Sequence, residues 1–395
     1  MVTTVVDSEI TLGDVEAAPE GAPREAAFQH ALEVLKERRD EFGEQGFVPR
    51  DFMALLKKAG MFRVSVPQEF GGDPMPPAQF LKMVEQVSEV DPATGWVASF
   101  GSASGYFASL PIESQRALYS KSKDIVFAAG MFPMFEAEKV DGGYLVTGEW
   151  QFASGCKGAD LLGMGLKGGP ETEGKPLTAL VDRNAVEIID NWDVAGMRAT
   201  GSHNVHADRV FVPEELTFVR GGQPSIDEPI TRYPGLAYAA QVLSAVTLGA
   251  ARGALDFVIE KGAASTSING GPAKGNRPAY KTGVAKAEAQ LRSARAFFYE
   301  ATEEVWAKAE ANEEITDHDK ALLRLSATHA AHESREVILS AFNIAGTGAI
   351  FKSHPLQRFL QDGIVPAQHA MLQEHTYEAS GALLLNLDAG LPSFP

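Results

Sequence analysis

With 395 residues, 45% of them hydrophobic and 22% charged, the chain has the composition of a folded protein of two or three domains with ample apolar material for a core. A net charge of −17 excludes a general affinity for nucleic acid or an anionic membrane, so any anionic ligand must be held by local donors. The single cysteine, Cys156, excludes an internal disulfide framework and a multi-cysteine metal site, and it suits a reducing cytoplasm.

Met1 to Glu25 is acidic and lacks the basic and apolar regions of a signal peptide, so residues 1–23 read as a disordered or loosely docked leader. No apolar run approaches the roughly 20 residues of a membrane span. Ala27, Ala31, Val34, Leu35 and Phe42 recur at helical spacing and predict a helix from Arg24 to about Phe42. A second helix, Pro49 to Ala59, should stop at Gly60. Val64 to Gly72 reads as a short extended segment closed by a glycine turn, and Pro76 to about Ser88 as a third helix. Asp91-Pro92 has the N-cap and N1 chemistry of a fourth helix, running to Phe107. Gly95, Gly101 and Gly105 inside it cost about 1 kcal/mol each relative to alanine, which predicts close packing against another helix or a ligand-cavity wall. These elements make an all-α domain, residues 24–124.

From Ile125 the period changes to that of strands: 126–130, 144–152, 161–166, 178–181, 186–189 and 205–212, a β domain over residues 125–215. Gly142-Gly143 is favourable chemistry for a tight hairpin turn ahead of Tyr144 to Thr147. Residues 216–234 read as a polar linker loop. Beyond it, Leu236 to Ala264, Tyr280 to Asn312, Asp317 to Ala345 and Val365 to Leu387 read as the helices of a bundle, residues 235–395, with Thr316 or Asp317 as a cap and Gly346 and Gly348 as breakers. His329 and His332 lie near Glu333 and Glu336, but the Glu-x-x-His spacing of a carboxylate metal site is absent, so no metal is expected.

The order all-α, β, four-helix bundle is α+β and resembles the acyl-CoA dehydrogenase fold along nearly the whole chain. Within it the closer resemblance is to the oxygenase components of two-component flavin-dependent monooxygenases. Four stretches carry it: Gly95 to Ser99 (Gly-Trp-Val-Ala-Ser), Gly143 to Cys156 with its Trp-x-Phe-x-Ser tail, Trp192 to Ser202 followed by Val210 to Pro213, and Pro355 to Asp362 with His369 seven residues on. Acyl-CoA dehydrogenases commonly follow an Arg-Asp pair with Glu-Gly-Thr, whose glutamate takes the substrate α-proton. Here Gln361-Asp362 is followed by Gly363 to Met371 without it, and Glu374 is displaced in sequence. An acyl-CoA dehydrogenase-like enzyme oxidising a thioester is the alternative.

The resemblance implies an enzyme using reduced flavin and O2 through a C4a-hydroperoxyflavin to oxygenate a phenol- or indole-like molecule. It further implies a flavin reductase as partner, a homotetramer and a cytoplasmic location. Ser154 is the candidate for the hydroxyl beside flavin N5, against a plain strand serine. His369 is the candidate acid/base, against a histidine that caps or packs the last helix. Ala128, Ala129 and Gly130, with the backbone at Trp150 and Phe152, are candidates for the isoalloxazine edge; the two rings either flank it or pack the core. Arg277, Lys281 and Arg292 are the eligible phosphate cations. The family's Arg-x-x-Phe-Gly string is not reproduced at Arg277, which favours reduced FMN over FAD. Trp96, Ser99, Phe100, Ala103 and His369 are the candidate substrate wall. Gly101 to Ser104 stands where several relatives have a histidine, implying a less polar substrate.

Overall fold

A computed structural model describes residues 23–264, 272–391 and 394. The expected leader, but for Pro23, lies outside these residues, as does the stretch 265–271 after the first bundle helix. Helix α1 (Arg24–Gln45) ends on Gly46 at φ +78, and α2 (Arg50–Lys58) ends ahead of Gly60 at φ +69, a left-handed position that glycine adopts freely. The segment from Val64 is not extended. It forms turns and one 3-10 turn, Gln68–Phe70, because no strand pairs with it and Pro67 O accepts from Phe70 N–H. Next come α3 (Pro77–Val90) and α4 (Pro92–Ser99); the expected fourth helix then tightens to 3-10 over Phe100–Ser109. Glycine and serine are poor formers of regular helix, which accounts for that change of winding. Helix α5 (Ile112–Lys121) was not read in the sequence.

The strands are β1 (Phe127–Phe135), β2 (Glu138–Val140), β3 (Gly143–Trp150), β4 (Leu161–Leu166), β5 (Leu177–Asp182), β6 (Glu187–Ile189), β7 (Asn204–Pro213) and β8 (Thr217–Val219). The loop expected after the β domain thus contains β8, and also the short helix α6 (Pro229–Arg232). Then follow α7 (Gly235–Ala264), α8 (Pro278–Ala311) and α9 (Asp317–Ala345), the last with a full capping box between Thr316 and Asp319. The expected final helix is broken: α10 (Leu356–Gly363) precedes two 3-10 turns, and α11 covers only His375–Leu384. Pro366 lacks the N–H that a continuous helix needs.

The chain divides into two compact units, neither continuous in sequence. The first (among the described residues, 23–75, 100–194 and 198–235) holds both sheets, ordered β1-β4-β5-β8 and β2-β3-β7-β6. β1 runs parallel to β4, with Phe127 opposite Leu161, while the other paired strands are antiparallel. Trp150 joins the two sheets: its ring is buried and Nε1–H donates to Gly165 O on β4 at 2.8 Å. Glycine is required at 130, because a Cβ there would stand 2.5 Å from Trp150 Cβ. Asp160 fixes α2 to the sheet, meeting Lys57 at 2.8 Å and Arg50 at 3.0 Å while accepting from Val126 N–H at 2.9 Å.

The described residues of the second unit (within 76–99, 195–197 and 236–391) are helical: α8 and α11 pack on α9, and α7 is bonded to α8 through Gln241 and Thr302 and to α9 through Ser244 and Ala327 O, giving the expected bundle. α7 is long and apolar enough by composition to cross a membrane, unlike the sequence expectation, but 72% of its apolar window is buried among its own neighbours. At Gly249 and Gly253 its backbone closes on α3; added Cβ atoms would lie 2.2 Å from Glu85 O and 2.6 Å from Glu89 O. Glu85, buried beneath this contact, is paired with Arg295 at 2.8 Å and receives the Tyr299 hydroxyl.

Candidate active site

In the sheet unit the residues expected near a flavin occupy the ends of β1 and β3. Ala128, Ala129 and Gly130 lie opposite Leu162, Gly163 and Met164 in the β1–β4 ladder. The Trp150 indole is wholly in the core, so it does not flank a ligand; its hydrogen bond and its edge contact with Phe135, 5.1 Å between centroids, account for it. Phe152 behaves in the opposite way. It adopts φ +57, uncommon for a bulky residue, and its ring is 65% exposed. Phe132, whose carbonyl accepts from Gln151 N–H at 2.9 Å, is 58% exposed. The Trp192 ring meets Phe152 edge-on, centroids 6.0 Å apart. A strained, exposed aromatic beside two others makes an apolar platform suited to a flat ligand.

Ser154 follows that platform. Its hydroxyl lies 2.7 Å from Ser202 Oγ, and Ser202 Oγ lies 2.6 Å from Thr200 Oγ1. The reading of a plain strand serine does not describe it, since its partner is another buried hydroxyl. Gly155, at φ +76, donates its N–H to Thr200 O at 2.7 Å and closes the turn over the three side chains. His203, beside Ser202, is buried. Its Nδ1 accepts from the backbone N–H groups of Asn191 (3.2 Å) and Trp192 (3.1 Å), so its proton sits on Nε2 and the ring is neutral. Burial, followed by the positive charge of Lys157, lowers its pKa. This ring fixes the backbone that carries Trp192. Burial pushes the Cys156 thiol up to about 11, which leaves it unreactive.

The helical unit brings together Trp96 and His369, centroids 5.9 Å apart. Asp91 caps α4 through Thr94 N–H at 2.9 Å and receives Arg358 Nη1 of α10 at 2.6 Å, which braces the helix bearing Trp96 against α10. Asp362, also on α10, accepts from Met197 N–H. Burial and then the Asp91 charge push its pKa up to about 7. His369 is exposed and heads the 3-10 turn Ala370–Leu372; its Nδ1 accepts from Met371 N–H at 3.3 Å. That turn is tied to α9 by Arg324, which reaches Met371 O at 3.2 Å, and by His332 Nε2 at 2.8 Å from Leu372 O. His332 is thereby committed to the backbone.

Ser99 is buried, with its hydroxyl donating to Trp96 O at 2.7 Å. Ala103 belongs to the hydrophobic core of the sheet unit with Phe107 and Phe127, and Phe100 packs on that cluster, so the methyl of Ala103 is committed to the core and not to a ligand wall. Arg277 and Lys281 make no ion pair with a described residue. Arg292 pairs with Glu288 and lines a cavity of about 270 Å³ together with Arg252, Arg295, Glu85 and Glu89. Its charge is largely answered there, which leaves Arg277 and Lys281 as the cations open to phosphate. Thr200, Ser202 and Arg358 lie inside stretches that carry the resemblance and Asp91 caps the fourth helix, but their part in the site is not legible from the sequence, nor is that of His203. The Thr200-Gly201-Ser202 run, two hydroxyls flanking a glycine, was the available signal.

Residues 241–374 match the family described as acyl-CoA dehydrogenase, C-terminal domain, and residues 20–119 match acyl-CoA dehydrogenase, N-terminal domain. An indole-3-acetate monooxygenase from Pseudomonas putida is 42% identical over 375 residues, 93% of this chain and 96% of its own. The oxygenase subunit HsaA of a flavin-dependent monooxygenase from Rhodococcus jostii is 28% identical, over 86% of this chain and 92% of its own. Among solved structures, the 3-HSA hydroxylase from Rhodococcus sp. RHA1 matches with a TM-score of 0.84 at 26% identity, covering 93% of this chain and 97% of that one.

Proposed function

The chain belongs to the acyl-CoA dehydrogenase family, and from that premise we propose that it is the oxygenase component of a two-component flavin-dependent monooxygenase acting on an indole-like aromatic. It is an oxidoreductase, and a flavin reductase supplies its reduced flavin. The observation that carries the reading is the paired feature of the sheet unit: a strained, exposed Phe152 and, two residues on, a buried serine hydroxyl. A flat ring with a polar edge fits both. The thioester-oxidising alternative lacks its base. No carboxylate follows Asp362 in the expected Glu-Gly-Thr run, and α7 has no Asp or Glu before Asp256.

The bound flavin supplies the activation of O2. Phe152, Phe132 and Trp192 would offer the apolar surface for its ring, and the Ser154 hydroxyl would be the hydrogen-bond partner for N5. Arg277 or Lys281 meets its phosphate. The missing Arg-x-x-Phe-Gly string keeps FMN ahead of FAD, a choice that affinities for the two reduced flavins decide. His369 moves the proton of a phenol or indole N–H, and the Trp96 ring beside it gives an aromatic substrate a stacking partner. Indole-3-acetate is the first substrate to try, given the relative in Pseudomonas putida.

The apolar length of α7 is a weak motive for an oligomer, since 72% of its apolar window is already buried within its own chain. Exposed Ile350, Phe351, Leu384, Leu385 and Leu387 are the better motive for a homotetramer, and light scattering tests it. A reducing cytoplasm is the proposed compartment. The test of function supplies reduced flavin from a reductase with ¹⁸O2 and indole-3-acetate, indole or 4-hydroxyphenylacetate. Labelled oxygen in an organic product supports the reading. Hydrogen peroxide alone with every aromatic, or bleaching of bound oxidised flavin by an acyl-CoA, overturns it.

A further inference from the structure

One end of the β6–β7 pair carries an imidazole with two sets of neighbours. His203 stands just before β7 and Asn191 and Trp192 follow β6, so the register that sets Ile189 opposite Asn204 brings the three together. The His203 ring is 3% exposed, and its Nδ1 accepts from Trp192 N–H at 3.1 Å and from Asn191 N–H at 3.2 Å. Asn191 N–H also reaches Ile189 O at 2.9 Å, so it keeps an acceptor whatever the ring does. Asp190 Oδ1 lies 3.3 Å from the same Nδ1. A carboxylate beside a bare ring nitrogen makes no hydrogen bond, but beside an N–H it is an acceptor.

One proton therefore decides which neighbours Nδ1 serves. The neutral ring, with its hydrogen on Nε2, serves the backbone. In the protonated ring Nδ1–H would face Trp192 N–H across 3.1 Å, where two donors repel, while Asp190 stands ready to accept. Nε2 is buried without a hydrogen-bond partner among the described residues, so nothing at that end stabilises the charged form. The charges facing the ring are Asp190, from the loop after β6, and Lys157, from the turn after β3, themselves paired at 3.0 Å. Burial first, then Lys157, disfavours the imidazolium and Asp190 favours it, so the ring takes its proton only below the ordinary histidine range. Lys157 holds Asp190 below the usual carboxylate range, and Asp190 is still charged at that point. The nearby Cys156 is a neutral thiol on which Arg183 bears, and Glu149 of β3 is engaged by Asn204 Nδ2 at 2.6 Å.

We propose that His203 is a positioning residue for the flavin platform: the neutral ring clasps the backbone of Trp192, whose indole meets Phe152, and the protonated ring lets it go and turns to Asp190. Flavin binding then requires a neutral His203 and loosens on acidification with Ser154 and His369 unchanged. The proposal rests on the reading of the Phe152–Trp192 surface as the seat of the flavin ring.

The test follows the flavin-free protein by ¹⁵N resonances, and its affinity for oxidised FMN and FAD, from about pH 8 to about pH 4.5, across the ordinary histidine value near ~6.5. Wild type is compared with His203→Asn, so that titrations of the flavin itself cancel; melting curves at each pH keep the comparison to folded protein. The His203 ring nitrogens and the Trp192 amide should titrate together, and wild type should lose about fivefold in affinity relative to His203→Asn through that transition, the worth of one hydrogen bond. At pH 8 His203→Asn, whose side-chain oxygen takes the place of Nδ1, should bind within about twofold of wild type, and His203→Leu about fivefold more weakly at every pH. Asp190→Asn should move the transition to lower pH and Lys157→Met to higher pH, following the signs of their charges. A hydrogen on Nδ1 at pH 8, a Trp192 amide transition that survives in His203→Asn, or shifts of the same sign in the Asp190 and Lys157 variants would each overturn the proposal. If His203→Asn does not fold, the opposed shifts of those two variants decide. Failure of the platform reading has a different signature: the Trp192 amide would still follow His203 in the flavin-free protein while flavin affinity ignored both, and the role in flavin binding would fall with it.

Discussion

Asp362 is the group through which pH should act on the helical unit. Its carboxyl is buried on α10, receives Met197 N–H, and is pushed up to about 7 by burial and by the neighbouring Asp91. An aspartate in an unfolded chain titrates near ~3.9. Between those two values the folded protein binds more protons than the unfolded one, so stability falls as pH rises. The slope is roughly 1.4 kcal/mol per pH unit, or about 4 kcal/mol over the whole interval. The contribution is fully present below about pH 4 and lost as pH climbs through about 7. Asp362→Asn keeps an oxygen acceptor for Met197 N–H and cannot ionise. Relative to wild type it should gain roughly 3 kcal/mol between pH 5 and pH 7 and level off above, because those two units lie inside the window. Urea midpoints of both proteins at half-unit steps from pH 5 to 8 give the difference directly. A difference that is flat with pH, or a variant less stable than wild type at pH 8, would show that the carboxyl is ionised and well paired throughout, and the reasoning would fail.

His369→Asn retains an acceptor near Met371 N–H and so separates capping from proton transfer; product per flavin oxidised should drop by roughly 10²–10⁴-fold with the melting temperature little changed. If coupling is unaffected in the folded variant, His369 is a capping residue only. Arg358→Met leaves the buried Asp91 carboxylate without its cation and should destabilise by about 3–5 kcal/mol, read in thermal melting, with a shift in Trp fluorescence as the α4–α10 brace loosens; a loss below about 1 kcal/mol would mark the pair as a surface-like contact. Gly130→Ala forces a methyl into Trp150 and should cost about 1–3 kcal/mol of stability, whereas a neutral outcome in a melting curve would mean that β1 and β3 separate easily.

The parts of the fold that were legible are those decided within one turn or one strand. Thr316 with Asp319, Asp91 with Thr94, and Gly60 after α2 each announce a helix end by side-chain chemistry alone. The short strands β2 and β8 were not legible, because three residues carry little period; β8 moreover exists only through β5, about 40 residues earlier, while β2 is the short first arm of the hairpin that Gly142-Gly143 turns. Helix α10 was not read, and the last helix, expected from Val365, begins only at His375 although Pro366 announces the delay, since apolar spacing alone runs on through the two 3-10 turns. In the site, Ser154 could be found because it sits in a run with a resemblance. Its hydroxyl partners could not, because Ser154 and Ser202 are joined across 48 residues. Trp150 and Phe152 show the limit of pattern reading: the first closes β3 with its ring entirely in the core, and the second, two residues on and already off the strand at φ +57, is largely exposed.

The Asp160 cluster has a kinetic side. Lys57 and Arg50 come from α2, Val126 precedes β1, and Asp160 itself leads into β4, so the carboxylate gathers partners 103, 110 and 34 residues away in the chain. The same residue stands at the start of the parallel β1–β4 ladder, a pairing that no tight turn can make and that only a long crossover closes. The antiparallel β4–β5 pair has a much shorter loop to close and should assemble first. An aspartate whose cations arrive last remains hydrated through most of the folding reaction. Its ion pairs then lie on the native side of the barrier, where they slow the escape from the folded state and contribute little to the speed of reaching it.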